Sequence, residues 1–352
     1  MDINLFDFDL PEEQIAQSPA PVRDECRLMV IDREKQSYEH RKFSDILEYL
    51  RPGDVLVRNN TKVIPARLIG EKKATHGKVE LLLLKQLHGD TWEALVGGAH
   101  SVRIGSELSF GEGALTATCV EVLPEGIRHV EFHYQGIFLE VLEALGKMPL
   151  PPYIKKQISN NSDYQTVYAK VPGSAAAPTA GFHFTEELFE KIQATGVEVV
   201  DVTLNIGLGT FRPVKVNDTK DHVMHSEFYQ MSEEAAKRLN LAKKEGRRII
   251  AIGTTSVRTL ESVYGKYGKF VATEEDTCIF IEPGYRYQAV DALITNFHLP
   301  KSTLVMLVSA FMGRKWTLTC YKEAVEQGYR FFSFGDAMFI HGNYDYSHNL
   351  ED

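Results

Sequence analysis

The feature that most constrains the fold is a double change of texture along the chain. From about Ala66 to Gln135 it reads strand after strand, at Val79 to Leu84, Trp92 to Val96, Glu107 to Phe110, Leu115 to Val122 and Arg128 to His133. Turn signals such as His88-Gly89-Asp90 and Pro124-Glu125-Gly126 separate these runs, and short strands at this spacing predict a small antiparallel barrel. Before it, an apolar strand at Arg27 to Ile31, a short amphipathic helix at Phe43 to Leu50 and a strand at Val55 to Val57 read as α/β material. After a helix from about Ile137 to Leu145 the α/β texture returns, with strands at Val197 to Ile206, Arg248 to Ile252, Thr277 to Ile281 and Ala292 to Thr295. Helices are expected near Thr185 to Ala194, Glu233 to Glu245, Ser302 to Phe311 and Thr319 to Gln327. The simplest partition is an open mixed α/β sheet domain, residues 1–66 and 148–352, carrying an inserted small antiparallel β-barrel domain, residues 67–147.

Several classes of protein are disfavoured early. The acidic N-terminus lacks the apolar core of a secretory signal, and the most apolar run, Leu304 to Met312, is too short to span a bilayer, so a cytoplasmic protein without a membrane role is expected. Cys26, Cys119, Cys278 and Cys320 are far apart, which argues against a disulfide framework or a zinc knuckle. A net charge of −9 disfavours a nucleic-acid partner unless basic residues are segregated on one surface. Candidates for such a patch are Arg58 with Lys62 and Arg67, Lys155-Lys156, Lys243-Lys244 with Arg247-Arg248, and Arg314-Lys315, although each also reads as a solvated face.

Chemistry is signalled first by Pro178-Thr179-Ala180-Gly181-Phe182-His183-Phe184-Thr185. It places an imidazole between two aromatic rings just before a helix that Thr185 would cap. The competing reading is a core histidine whose nitrogens are satisfied internally. In open α/β sheets, ligands bind beyond the carboxyl ends of the strands, so loops following strands come next. Three are unusually polar: Gly207-Leu208-Gly209-Thr210-Phe211; Gly253-Thr254-Thr255, leading to Arg258 and Glu261 on a helix whose amides suit an anion or a ribose; and Thr295-Asn296-Phe297-His298-Leu299-Pro300. In His222-Val223-Met224-His225-Ser226-Glu227, a zinc site lacks enough ligands, while His225 and Glu227, two apart on a strand, would share a face as an acid/base pair. Tyr153, Tyr164 and Tyr168 lie near His183 in sequence and suit a purine, a sulfonium or a core equally.

Taken jointly, a set of motifs resembles a known family over nearly the whole chain. They are Asn60-Thr61 with Pro65-Ala66-Arg67-Leu68, Leu150-Pro151-Pro152-Tyr153-Ile154, Tyr164-Gln165-Thr166-Val167-Tyr168-Ala169, Ala177 to Thr185, Gly209-Thr210-Phe211, His222 with His225 and Glu227, Gly253-Thr254-Thr255, Thr295 to Pro300, and Tyr329 to Met338. They look like the S-adenosylmethionine:tRNA ribosyltransferase-isomerases of queuosine biosynthesis. The resemblance implies transfer and isomerisation of the ribosyl moiety of S-adenosylmethionine onto 7-aminomethyl-7-deazaguanine in tRNA, with release of adenine and methionine. S-Adenosylmethionine is then a co-substrate, no cofactor is permanently bound, no metal is needed, and the enzyme is expected to work as a monomer. Departures from the pattern are Phe182, in place of an aliphatic residue, and Asn205, where a histidine is common; Asn205 cannot transfer protons as a histidine does.

Under this resemblance the reaction starts with removal of a C5′ proton beside the sulfonium, which needs a base working near neutral pH. His183, His225 and His298 are the candidates, with Glu227 in support. Substrate contacts are expected from Tyr168, Thr179, Gly209, Thr210, Phe211, Thr254, Thr255, Arg258, Asn296 and Phe297. For tRNA they are expected from Arg58, Lys62, Arg67, Lys155 and Lys156. Rival readings are a metal-dependent hydrolase built on His222, His225 and Glu227, and a non-enzymatic tRNA-binding protein. A methyltransferase is disfavoured because no glycine-rich loop follows Arg27 to Ile31.

Overall fold

The computed structural model of the chain describes residues 1–156, 160–207, 209 and 216–348. The chain enters through β1 (Arg27–Asp32), β2 (Ser37–Lys42), β3 (Val55–Asn59) and β4 (Thr61–Val63). It then forms β5 (Arg67–Lys72), β6 (Lys78–His88), β7 (Thr91–Gly97), β8 (Glu107–Phe110), β9 (Leu115–Val122) and β10 (Ile127–Tyr134). There follow α1 (Phe138–Leu145), β11 (Val171–Ser174), α2 (Glu186–Ala194), β12 (Glu198–Leu204), β13 (Glu227–Met231) and α3 (Glu233–Lys244). The last part holds β14 (Ile249–Ile252), α4 (Gly253–Tyr267), β15 (Thr273–Thr277), β16 (Ala292–Asn296), α5 (Thr303–Met312), α6 (Arg314–Glu326) and β17 (Ala337–His341).

Strands β5 to β10 close into a barrel in the order β10-β7-β6-β5-β8-β9. Alternation along β9 and β10 turns every second side chain inward, and Leu68, Leu81, Trp92, Phe110, Leu115 and Phe132 fill the interior together with Leu142 from α1. All other long strands join one mixed sheet in the order β15-β13-β12-β3-β14-β16-β17-β1-β2. β1 and β12 therefore share a sheet, although the barrel separates them in sequence. Its centre, Ile249–Ile252 and Ala292–Asn296, is buried at every position, as expected of strands covered on both faces. Lys85 of β6 meets both carboxylate oxygens of Asp276 on β15 at 2.8 Å and ties the barrel to the sheet edge.

Some expectations are corrected. The strand expected at Thr277 to Ile281 ends where it was to begin: β15 is the polar run Thr273–Thr277, paired to β13, and Ile279 to Ile281 instead wall a cavity. Phe43–Glu48 forms a 3-10 helix, and α6 starts at Arg314, directly after Gly313 at φ 87°, rather than at Thr319. Among the described residues no helix is long and apolar enough to cross a membrane.

Strand direction decides where chemistry can gather. β12, β3, β14 and β16 are parallel, while β13 and β17 run against their neighbours β12 and β16. The carboxyl ends of the four parallel strands and the amino ends of β13 and β17 thus open on one edge.

Candidate active site

That edge holds a cavity of about 540 Å³. Of the residues expected from sequence to touch substrate or act on it, Thr179, Gly209, His225, Glu227, Thr254, Thr255, Arg258, Asn296 and His298 line it. Thr210 and Phe211 lie outside the described residues.

Gly253 lets the backbone turn sharply from β14 into α4. Its φ of 83° suits glycine, and a Cβ there would come within 3.3 Å of Ala180. The turn aims the first amides of the 15-residue α4 at the cavity. Thr255 and Arg258, three apart, share the face of that helix that lines it. Arg258 pairs with Glu227 through Nη1, and Gly207 N–H donates to the other Glu227 oxygen at 3.2 Å. Both side chains are buried, so each charge depends on the other to offset its loss of water. Among the described residues, the Thr255 hydroxyl and the Nε and Nη2 groups of Arg258 are buried without a hydrogen-bond partner.

His183 is not in the cavity wall. It is 3% exposed, packs on Phe43 at 5.1 Å between ring centroids, and stands behind Asn296. Asn296 Nδ2 donates to the carbonyls of Phe332 at 2.7 Å and Ser333 at 3.4 Å, so its Oδ1 faces His183 Nε2 and accepts at 3.3 Å. The proton of His183 therefore sits on Nε2, and Nδ1 accepts from the Cys26 thiol at 3.1 Å. Burial pushes the Cys26 thiol up, which keeps it a donor, and lowers the His183 imidazole to about 4. Both nitrogens of His183 are engaged, and through Asn296 the imidazole is linked to the Phe332-Ser333 turn.

His298 faces the cavity, with Nε2 at 3.0 Å from the Thr295 hydroxyl, and burial lowers it to about 3. His225 is half-buried in the wall, and a Cβ on Gly209 would lie 3.6 Å from its Cδ2. His222, beside the Phe280 ring at 5.4 Å, is lowered by burial and then by His225. Among the described residues no group of three His, Cys, Asp or Glu side chains is placed to hold a metal ion.

Two aromatic expectations are corrected. Phe297 is fully buried against Tyr321, Tyr329 and Phe331, so it cannot face adenine. Tyr168 lies outside the cavity, under the guanidinium of Arg58 at 4.5 Å and against Gly181. A Cβ at Gly181 would fall 2.8 Å from Tyr168 Cζ and 2.7 Å from Thr166 Cγ2. Gly181→Ala is accordingly expected to cost about 1–3 kcal/mol, read as a lower urea midpoint at unchanged slope. A midpoint equal to wild type would mean that this packing is loose.

The basic residues also divide. Arg58 is held by Asp201 at 2.6 Å, Arg67 lies 3.3 Å from Glu80 and Lys155 pairs with Glu12, so these three already have carboxylate partners. Lys62 and Lys156 are exposed and have no ion partner among the described residues.

Two comparisons with known proteins bear on this geometry. The model of the queuosine biosynthesis protein family matches residues 3–340. The chain belongs to that family. It is also similar to the crystal structure of an S-adenosylmethionine tRNA ribosyltransferase from Thermotoga maritima, at 38% identity over 96% of this chain and 99% of that one, with a TM-score of 0.55.

Within the queuosine biosynthesis family pattern, sequence reasoning left Phe332 and Ser333 without a role and Tyr153 open between a ligand contact and the core, yet all three line the cavity. Phe332 has φ 73°, unusual for a bulky residue, and its ring meets Tyr153 edge-on at 4.1 Å, while Tyr153 and Ser333 hydrogen-bond through their hydroxyls. The motifs Leu150 to Ile154 and Tyr329 to Met338 were the available signal. Cys26 carried none. The departures are structural: Asn205 accepts from the Thr61 hydroxyl at 2.8 Å, and Phe182 stacks on Phe334 at 5.8 Å.

Proposed function

We propose that this protein is an S-adenosylmethionine:tRNA ribosyltransferase-isomerase. It transfers and isomerises the ribosyl moiety of S-adenosylmethionine onto 7-aminomethyl-7-deazaguanine in tRNA to give epoxyqueuosine. The bonds from the ribosyl carbons to adenine, to the sulfur of methionine and to the ring oxygen break; the bond to the base's amine, the ring-closing C–C bond and the epoxide C–O bond form in their place; and the protons lost from C5′ and from the amine go to the departing adenine and to solvent. S-Adenosylmethionine is spent as a co-substrate, with no resident cofactor. Residues 1–66 and 148–352 supply the catalytic α/β domain, and 67–147 the inserted barrel. The protein acts in the cytoplasm, as a monomer.

The observation that carries this reading is the cavity itself, in a chain of this family. Its volume of about 540 Å³ lies in the range of roughly 300–1,000 Å³ common for small-molecule sites. Its wall combines an imidazole, helix amides, threonine hydroxyls and a buried ion pair. His225 is the proposed base for the C5′ proton. His183 has no nitrogen to spare, and a His298 lowered to about 3 is a poor base at neutral pH. Thr179, Thr254 and Gly209 are proposed to contact the ribose, and His298 to hydrogen-bond in its neutral form. The test is incubation with S-adenosylmethionine and tRNA bearing the aminomethyl-deazaguanine. Free adenine and methionine are expected in equal amounts, and adenine release without tRNA modification would count against the transfer.

The tRNA face is proposed to use Lys62 and Lys156. Reversing both to Glu should weaken tRNA binding and flatten its logarithmic salt slope by about 2, while affinity for S-adenosylmethionine stays put. An unchanged slope would move the tRNA face elsewhere.

A further inference from the structure

The Arg258–Glu227 pair is unusual in what it leaves unused. Arg258, whose side chain is only 10% exposed, gives Nη1 to Glu227, while Nε and Nη2 are buried without a partner among the described residues. Leaving buried guanidinium N–H groups unsatisfied is costly, so a fold that keeps them there is poised for a ligand that supplies acceptors. Thr255, one turn earlier on the same face, adds a buried hydroxyl that likewise has no partner among the described residues. The first amides of α4 point the same way, and a side chain on a helix leans toward its N-terminus, which brings Arg258 back over Thr255. All of these groups suit one planar anion bound in two-pronged fashion.

Glu227 supplies the opposite sign. Its oxygens accept from Arg258 and from Gly207 N–H, and a carboxylate has about four acceptor positions, which leaves room for a donor from the cavity. A fixed ion pair with spare capacity on both partners matches a ligand that itself carries both charges on neighbouring atoms. An inorganic anion or a tRNA phosphate would use only the arginine side and would leave Glu227 facing a like charge.

We propose that Arg258, Thr255 and the N-terminus of α4 bind the α-carboxylate of the methionine portion of S-adenosylmethionine, with Glu227 taking its α-ammonium group. This rests on the reading of S-adenosylmethionine as substrate and assigns the end of it that the cavity grips. The amino-acid end anchors the cofactor, and the sulfonium and C5′ extend toward His225. After transfer, methionine leaves from the same subsite.

The decisive measurement is calorimetric titration of the wild-type protein with S-adenosylmethionine, its decarboxylated analogue and 5′-methylthioadenosine, which lacks the whole amino-acid end. Two charge-assisted hydrogen bonds should make the decarboxylated analogue bind at least about 100-fold more weakly. Arg258→Met combined with Glu227→Gln removes the charge pair without stranding either charge. It should shrink that ratio to about threefold or less and leave 5′-methylthioadenosine binding unchanged. Equal affinity of wild type for the two cofactor forms, or a ratio preserved in the double variant, overturns the assignment; so does displacement of S-adenosylmethionine by inorganic phosphate without any carboxylate dependence, which marks a phosphate subsite. Adenine release by a wild type indifferent to the carboxylate sinks this inference alone. Carboxylate-dependent binding without adenine release sinks the enzymatic reading and leaves the subsite standing.

Discussion

Replacing His225 with alanine is expected to slow exchange of the C5′ hydrogens of S-adenosylmethionine with deuterated solvent by roughly 10²–10⁴-fold, the usual contribution of a positioned general base. Adenine release should fall in parallel, with affinity for S-adenosylmethionine changed by about threefold or less, because a group acting only on the proton in flight adds little to ground-state binding. The physical ground is elimination, of His183 by its hydrogen bonds and of His298 by the effect of burial on its basicity. His183 gives Nε2–H to Asn296 and takes the Cys26 thiol on Nδ1, so it has no lone pair for substrate. His298 reaches the cavity, but at about 3 its conjugate acid is too strong for the free imidazole to pull a carbon-bound proton effectively. His298→Gln should therefore leave exchange within about tenfold of wild type, since it removes a hydrogen-bonding group and not the base. Retained exchange in His225→Ala, or its abolition in His298→Gln alone, would reverse the assignment.

The second large effect is on stability in acid. His183 and His298 are kept neutral by burial, lowered from 6.5 to about 4 and about 3. The unfolded chain therefore binds protons that the folded protein refuses. The stability associated with these two groups is fully present above pH 6.5 and is lost as the pH falls from there toward 4 and 3. At pH 5 each histidine should cost about 2 kcal/mol, together about 4 kcal/mol, a large part of the margin of an ordinary domain. Glu261 and Asp336 are raised by burial and act with the opposite sign, so they cannot account for a loss on acidification. Urea midpoints at pH 7.5 and 5 measure the effect, and His183→Gln and His298→Gln should each remove about 2 kcal/mol of the difference even if they lower the plateau. A protein equally stable at the two values would show that these imidazoles titrate freely.

Much of the architecture was legible because it is local. Strand runs bounded by turn signals predicted β8 and β9 to the residue, and the close spacing of such runs predicted a barrel. Thr185 and Ser302 announced the starts of α2 and α5, and each does accept from the amide three residues on, Leu188 and Val305. The clustering of Gly253-Thr254-Thr255 with Asn296 and His298 also followed, because loops after parallel strands share an edge whatever the order of the strands. The family could be recognised from motifs spread along the chain, since each motif is a short run of residues.

Side-chain partners were decided by tertiary structure. β17 had no clear local signature, yet it lies between β16 and β1, and that position carries the Phe332-Ser333 turn to Asn296. His183 meets Cys26, 157 residues away in sequence, and Asn296, 113 residues away. Arg58, a free cation as a sequence symbol, is consumed by Asp201 because β3 and β12 pair with Arg58 opposite Asp201. Glu227 and Arg258 look like unrelated residues until β13 and α4 are placed side by side. Periodicity and caps report what a residue does with its near neighbours in the chain. Proton position, charge pairing and access to a cavity depend on the groups that strand order and register bring against it, and those are set only when the whole sheet forms.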